Sequence, residues 1–450
     1  MSTVLAEQNV YAMQFSEMAD RLPGAGLMWV DRLRKNAIQR FLDLGFPTTK
    51  LENWKYTNVA PIRRLTLSPG PLLPTASIPQ SLRAQIELFP SPRLVFLNGM
   101  FNPDLSTAGG AGGAGRTPPL RLLTLSEALG DPKQATALEP HLGTYAAVSD
   151  HAFAAWNTAS FTDGACVIIP PGTTVERPIN LVFVSEGANA PWVSQPRNLV
   201  IVGEGAQVAF VEAFLGVNGR VYLTNAVTEI GAGAGAVIDY YKVERESADS
   251  FHVATVAARL AQDAILTSHS ISFGAALLRN DLNVALDGEG ANCTLNGLFA
   301  VDGRRLADNH TLIDHRRPHA MSRELYKGVL AGNAEGVFNG TIIVRKDAQK
   351  TDAVQHSRNL LLSDHAQINT KPQLEIQADD VRCSHGATIG QIDEEALFYL
   401  KSRGVDEQKA QQILIRAFAA EILDRMRLSN IREQVDRLLA EWFESVLEAS

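Results

Sequence analysis

From Thr162 onward the apolar residues come in short, β-branched runs separated by glycine, a texture that lasts more than 200 residues with no helical pattern until Asp393. Within it a unit recurs. Gly205-Ala206-Gln207-Val208, Gly235-Ala236-Val237-Ile238, Asp263-Ala264-Ile265-Leu266, Gly290-Ala291-Asn292-Cys293 and His365-Ala366-Gln367-Ile368 each set a small-residue corner before an apolar residue. Ala206, Ala236, Ala264 and Ala291 lie 27 to 30 residues apart, within the range of solenoid repeats. Each turn of a solenoid supplies short strands whose inward residues stack on the next turn, with glycine or alanine at the tight corners. The pattern predicts a mainly β protein built on a parallel β-helix. A sandwich would need turn signals about every 8 to 12 residues and cleaner polar-out alternation.

Helical spacing brackets this core. Between Phe15 and Leu44, Leu27, Val30, Leu33, Ala37, Ile38, Phe41 and Leu42 recur three or four apart, which predicts one amphipathic helix ending at Gly45. Trp54 and Tyr56, in the polar stretch Thr48–Thr57, are expected to anchor that helix on the rest of the protein. Pro61 to Pro92 is proline-rich and connecting, and Leu94–Leu97 reads as a short strand ended by Asn98-Gly99. After the β region, Asp393 suits a helix N-cap, with Gly404 as the stop; a second helix starts near Asp406. A third starts near Asn430, whose spacing to Glu433 resembles a capping box. Its stripe of Ile431, Val435, Leu438, Leu439, Trp442, Phe443, Val446 and Leu447 either closes a terminal domain or offers a partner a docking surface. The expected divisions are 1–92, helical with a proline-rich connector; 93–161, mixed; 162–390, the β-helix; and 391–450, helical.

Bulk composition narrows the function classes. With 45% hydrophobic and 20% charged residues the chain is ordinary globular material. Lys and Arg total 41 against 49 Asp and Glu, a net charge of -8, so no basic field favours nucleic acid or anionic lipid. Neither nucleic acid nor a membrane is expected as a partner. Cys166, Cys293 and Cys383 are too few, and odd in number, for a disulfide framework, which points to a reducing, cytoplasmic setting. The first residues have no basic and apolar regions of a signal peptide, and no run of about 18 apolar residues occurs. Gly109–Gly115 is glycine-rich but reads as a surface loop: no strand feeds it and no Gly-Lys dipeptide occurs, so the chain is not itself a P-loop ATPase.

Three clusters could carry chemistry. In Asp379–Thr388, if extended, Cys383 and His385 project from one face, close enough to share an ion. That is half a site for iron, iron-sulfur or zinc, since a closed site takes about four ligands. The bland reading is a buried cysteine beside a hydrogen-bonded histidine. Position favours the sharper one, because the pair falls on the last solenoid turn, whose open end needs a cap or a partner. The second cluster is His310, His315 and His319 with Asp308 and Asp314, for which corner hydrogen bonding, metal or subunit contact all stay open. In the third, Lys350 and Asp352 would project to one side of an extended segment as a charged interface ladder, with no nucleophile beside them.

The segment Arg382-Cys383-Ser384-His385-Gly386-Ala387-Thr388-Ile389-Gly390, followed by Asp393–Leu400 and Ser402-Arg403-Gly404, closely resembles the signature of the SufB/SufD family of Suf iron-sulfur cluster assembly proteins. Glu52–Thr57, Tyr326–Leu330, Phe338-Asn339-Gly340, Gln349–Asp352 and Asn359–Asp364 match as well, so the resemblance runs from about residue 50 to about 425. Cys-Ser-His-Gly favours the SufD branch, because SufB is expected to carry Glu-His-Glu-Ala there. Two departures, Ala320-Met321 where Cys-Thr is frequent and the segment Gln355-His356-Ser357, touch neither proposed ligand. The resemblance implies a right-handed parallel β-helix between helical regions, pairing with SufB and docking the ABC-type ATPase SufC on the C-terminal helices. It implies a non-catalytic, cytoplasmic scaffold. A transient iron-sulfur cluster would form at the SufB-SufD interface, with His385 as ligand and Cys383 as the weaker candidate for cluster or metal. It implies reduced flavin on the whole complex, assigned to no residue, and leaves a homodimer open for the isolated chain. The rivals are a β-helix enzyme acting on polysaccharide or acyl substrates, the paralogous SufB scaffold itself, and a stand-alone metal binder using Cys383, His385 and the His310–His319 group.

Overall fold

The recurring alanine marks the inside of a corner. In the computed structural model, which describes residues 2–107, 121–187 and 190–449, Ala206, Ala236, Ala264, Ala291 and Ala320 are all fully buried. The residue before each is left-handed: Gly205, Gly235, Asp263, Gly290 and His319, then Lys350 before Thr351, have φ between 55° and 71°. This conformation turns the chain in one residue, and glycine takes it without strain. The backbone N–H of each corner residue donates to a carbonyl of the next coil, from Gly205 to Ala234 through to Lys350 to Asp380, at 2.7 to 3.2 Å. The corners therefore stack as a hydrogen-bonded column.

About eight coils stack this way into a parallel β-solenoid. Each coil gives one strand to each of two sheets, in uniform register: Val237, Ile265, Asn292, Met321, Asp352 and Arg382 are successive partners on the second sheet. The last strand of the first sheet is Gln367–Ile376 and that of the second is Arg382–Gly390. His365-Ala366 belongs to a different corner from the other four repeats, since Ala366 leads into the first sheet and Ala206, Ala236, Ala264 and Ala291 lead into the second. Inside, Phe96 stacks on Phe183 and Phe183 on Phe214, with centroids 5.1 and 4.9 Å apart.

Helices cover both outer faces. Met28–Leu44 and Ala152–Ser160 lie over the first sheet, where Phe41 stacks on Trp156 and the cluster reaches Val193, Leu223, Val253 and Leu277. Glu407–Leu423 and Ser429–Ala449 lie over the second, packing Ile415, Ile422, Val435, Leu439 and Trp442 against Val211, Val243, Ile271 and Leu298.

Two sequence expectations change, and one open alternative is resolved. The single helix over Phe15–Leu44 is two, Ser2–Met18 and Met28–Leu44, because Pro23, Gly24 (φ 77°) and Gly26 (φ 86°) break it. Its end at Gly45 stands. The last helix begins at Ser429, which puts Asn430 inside its first turn instead of at a cap. Its stripe is not a free docking surface: Ile431, Val435, Leu439, Trp442 and Phe443 are buried on the protein's own sheet. Asp393 and Asp406 do cap their helices, each carboxylate accepting backbone N–H groups.

A buried ion pair ties the N-terminal part to the solenoid. Arg197 and Glu229 meet at 2.6 Å with both side chains fully buried. Glu229 also accepts the N–H groups of Gly143, Tyr145 and Ala146, and Arg197 donates to Thr158. Removing one partner strands a buried charge, at a cost of about 3–5 kcal/mol. Glu229→Ala is expected to lower stability by about that amount, seen as a clear fall in the thermal unfolding midpoint by circular dichroism; an unchanged midpoint would contradict the pair's role.

Candidate functional site

Cys383 and His385 sit on the last strand of the second sheet, whose outer edge is unpaired among the described residues. Among the described residues Arg382–Gly390 pairs only with Asp352–Leu361, and Gln367–Ile376 only with Glu335–Val344. No residue of Arg382–Gly390 is buried, whereas Asp352–Leu361, one coil below, alternates buried and half-buried positions. Two parallel strands thus end the stack with one row each of free backbone groups, the arrangement that takes up a further strand.

The two side chains share the inward face, as the spacing predicts. Cys383 is half-buried against the interior core, next to Ala353 in register, while His385, next to Gln355, is exposed at the mouth. Burial raises the Cys383 thiol above its ordinary pKa, more than the Ala353 backbone N–H lowers it, and the Asp352 carboxylate raises it further. The thiol is therefore protonated at neutral pH until a cation stabilises the thiolate. Among the described residues no three His, Cys, Asp or Glu side chains gather as a metal site. The pair remains half a site.

Below His385 the same inward position carries Gln355, Glu324 and Leu295 on successive strands. Gln355 and Glu324 are buried, Gln355 Nε2 donates to Glu324 Oε2 at 2.6 Å, and burial pushes the Glu324 carboxyl up to about 7. Sequence reasoning missed this chain of contacts. The register of the repeat could have found it, since Glu324, Gln355 and His385 lie 31 and 30 residues apart, close to one coil each.

The other clusters do not converge. His310 lies on the outer face of the first sheet, its Nε2 2.9 Å from Asp308; His315 points inward to Ser322 at 2.9 Å; and His319 is a left-handed corner residue. Burial pushes His315 down to about 4, so it is a neutral core histidine. Lys350 and Asp352 form no ladder. Lys350 is a corner residue paired with Asp380, and Asp352 meets Arg323 at 2.7 Å. The Glu52–Thr57 stretch straps the N-terminal region to the first sheet: the Arg279 guanidinium lies 4.2 Å from the Trp54 ring centre, Arg279 binds Asp308, and Thr57 donates to Asp308. Glu52 reaches Lys371 on the terminal strand. Trp54 is the buried anchor, and Tyr56 stays exposed.

The fold is a parallel β-solenoid whose last coil sets a cysteine and a histidine on one inward face. The profile described as "SUF system FeS cluster assembly, SufBD core domain" matches residues 183–418, and "SufBD protein N-terminal region" matches 5–68. Iron-sulfur cluster assembly protein SufD of Escherichia coli is 33% identical over 400 residues, covering 88% of this chain and 89% of that protein. A SufBD family protein of Synechocystis is 32% identical over 413 residues, covering 89% and 88%. SufD of Bacillus subtilis is 25% identical over 455 residues, covering 97% and 98%. The chain belongs to the SufBD family of iron-sulfur cluster assembly proteins and is SufD-like. That membership sets aside an enzyme acting on polysaccharide or acyl groups.

The three cysteines should separate on labelling with iodoacetamide. Cys166 and Cys293 are fully buried, burial pushing Cys166 up to about 12 and Cys293 higher. Only Cys383 is expected to react in the folded chain, slowly at pH 7, with a rate still climbing past the pH where an ordinary thiol levels off. A fast, pH-independent reaction near neutrality would contradict the raised pKa.

Proposed function

We propose that this chain is a non-catalytic scaffold subunit that pairs with the paralogue SufB through the open end of its solenoid. A nascent iron-sulfur cluster, as cargo, is built at that junction with His385 as a ligand from this side and Cys383 as a second, weaker one. The observation that carries the reading is the coincidence of two features: among the described residues the last coil has unpaired strand edges, and the same coil sets a cysteine and a histidine on one inward face. SufB supplies the remaining ligands and the strands that cover the edges.

The ATPase SufC docks on the C-terminal helices. The last helix has its stripe buried, so the surface that remains is on Glu394–Ser402, where Phe398 and Tyr399 are 73% and 57% exposed, and at Ile413. Movement there reaches the strands beneath the site through Glu421 and through the Phe418 carbonyl, which accepts from Lys327 at 2.8 Å. Glu421 is held by Lys327 at 2.7 Å and Arg358 at 2.9 Å, on the two strands beneath His385, so a pull on Glu407–Leu423 loads the last coils directly. ATP-driven approach of SufC copies shifts the solenoid junction between closed and open states. The reduced flavin associated with such complexes belongs to the whole assembly. Three free cysteines suit a cytoplasmic setting, and among the described residues no helix is long and apolar enough to cross a membrane.

Anaerobic co-expression with both partners tests this reading. His385→Ala should co-purify with SufB and SufC yet lose the visible absorption and iron content of the cluster. Phe398→Asp combined with Ile413→Asp should keep SufB and lose SufC. Normal cluster content in the first variant would remove His385 from the site, and retained SufC in the second would move the docking surface elsewhere.

A further inference from the structure

The interior column that ends on His385 leaves two buried polar atoms without a partner among the described residues, Glu324 Oε1 and Gln355 Oε1, and the second lies nearer the mouth. Leu295, Glu324, Gln355 and His385 are successive register partners on four strands of the second sheet. Leu295 is fully buried and closes the column at its base. Above it the Gln355 amide has no solvent exposure and is fixed from two sides. Its Nε2 donates to Glu324 Oε2 at 2.6 Å, the orientation that an ionised Glu324 imposes, since that form only accepts. Opposite stands Gly340, where a Cβ would come within 2.2 Å of Gln355 Nε2, so the amide occupies the space that any side chain would need.

With the amide nitrogen committed, Gln355 Oε1 has no hydrogen-bond donor among the described residues. An unsatisfied buried carbonyl costs about 1–3 kcal/mol, which calls for a compensating role. The next inward residue toward the mouth is His385. An imidazole that binds a metal through one nitrogen holds the N–H of the other on an oxygen acceptor, which sets its tautomer and its aim. We propose that Gln355, oriented by Glu324, is a positioning residue for His385: its side-chain carbonyl accepts one imidazole N–H and leaves the other ring nitrogen free for iron. The inference rests on the reading of His385 as a ligand and adds the acceptor that this reading requires.

The test is an anaerobic titration of the purified, cluster-free complex of this chain with SufB and SufC, using Fe(II) alone. Gln355→Met, close in size but with no acceptor, is expected to weaken Fe(II) binding about 10–100-fold. Gln355→Glu restores an acceptor at the same position and is expected to stay within about 3-fold of wild type. A purely structural role would not give that rescue. If Gln355→Met does not fold, Glu324→Gln carries the test, since it frees the amide to reorient and should also weaken binding. Unchanged affinity in the variant tested, or equal loss in the methionine and glutamate variants, would overturn the proposal while His385→Ala still weakens binding. Should His385→Ala leave the affinity untouched as well, the ligand assignment itself fails.

Discussion

Every coil of this protein depends on its neighbours for its backbone hydrogen bonds. Parallel strands about ten residues long cannot pair within a coil, so each N–H and C=O in the sheets is satisfied from the coil above or below. The corner column obeys the same rule, since each left-handed residue donates to the next coil. Such a stack is stable in its middle and incomplete at its ends. At the N-terminal end, flanking strands and helices complete it: Arg93–Leu97 extends one sheet and Ala165–Ile169 the other. At the C-terminal end, among the described residues, nothing pairs with Gln367–Ile376 or Arg382–Gly390.

The position of the candidate site follows from that incompleteness. Residues facing inward in the middle coils are sealed, as with Glu324 and Gln355; the same column position on the last coil is exposed, as with His385. A side chain there can be reached by cargo and by a partner's residues, while the coils beneath hold it in register. The C-terminal helices leave that last coil open. They cover the outer face of the second sheet and bind the coils just below the site through Glu421. Under the proposed function one architecture meets two demands: an edge open enough to pair, and a rigid column behind His385.

Much of this was legible in the sequence, for physical reasons. The 27-to-30-residue spacing of Ala206, Ala236, Ala264 and Ala291 betrayed the solenoid because only a small residue fits inside the corner. The two-residue spacing of Cys383 and His385 predicts that they share a face, and that holds in the structure. What depends on contacts distant in sequence was not legible. The apolar stripe of the last helix reads the same whether it meets a partner or the protein's own sheet, and it meets the sheet. Lys350 and Asp352 looked like a ladder because the left-handed turn at Lys350 carries no glycine to announce it. Glu324 and Gln355 escaped notice because a buried polar pair inside a solenoid becomes visible only once the coils are aligned.

The account turns on the claim that the open end of the solenoid is where a second, homologous solenoid adds its strands. Hydrogen–deuterium exchange of this chain, alone and after mixing with SufB, tests it most directly. Exchange should slow on mixing at the backbone amides of Gln367–Ile376 and Arg382–Gly390, and stay as it was in the already paired strands Met321–Leu330 and Glu335–Val344. Complex formation with no added protection in the two terminal strands, or with protection confined to another surface, would contradict the account.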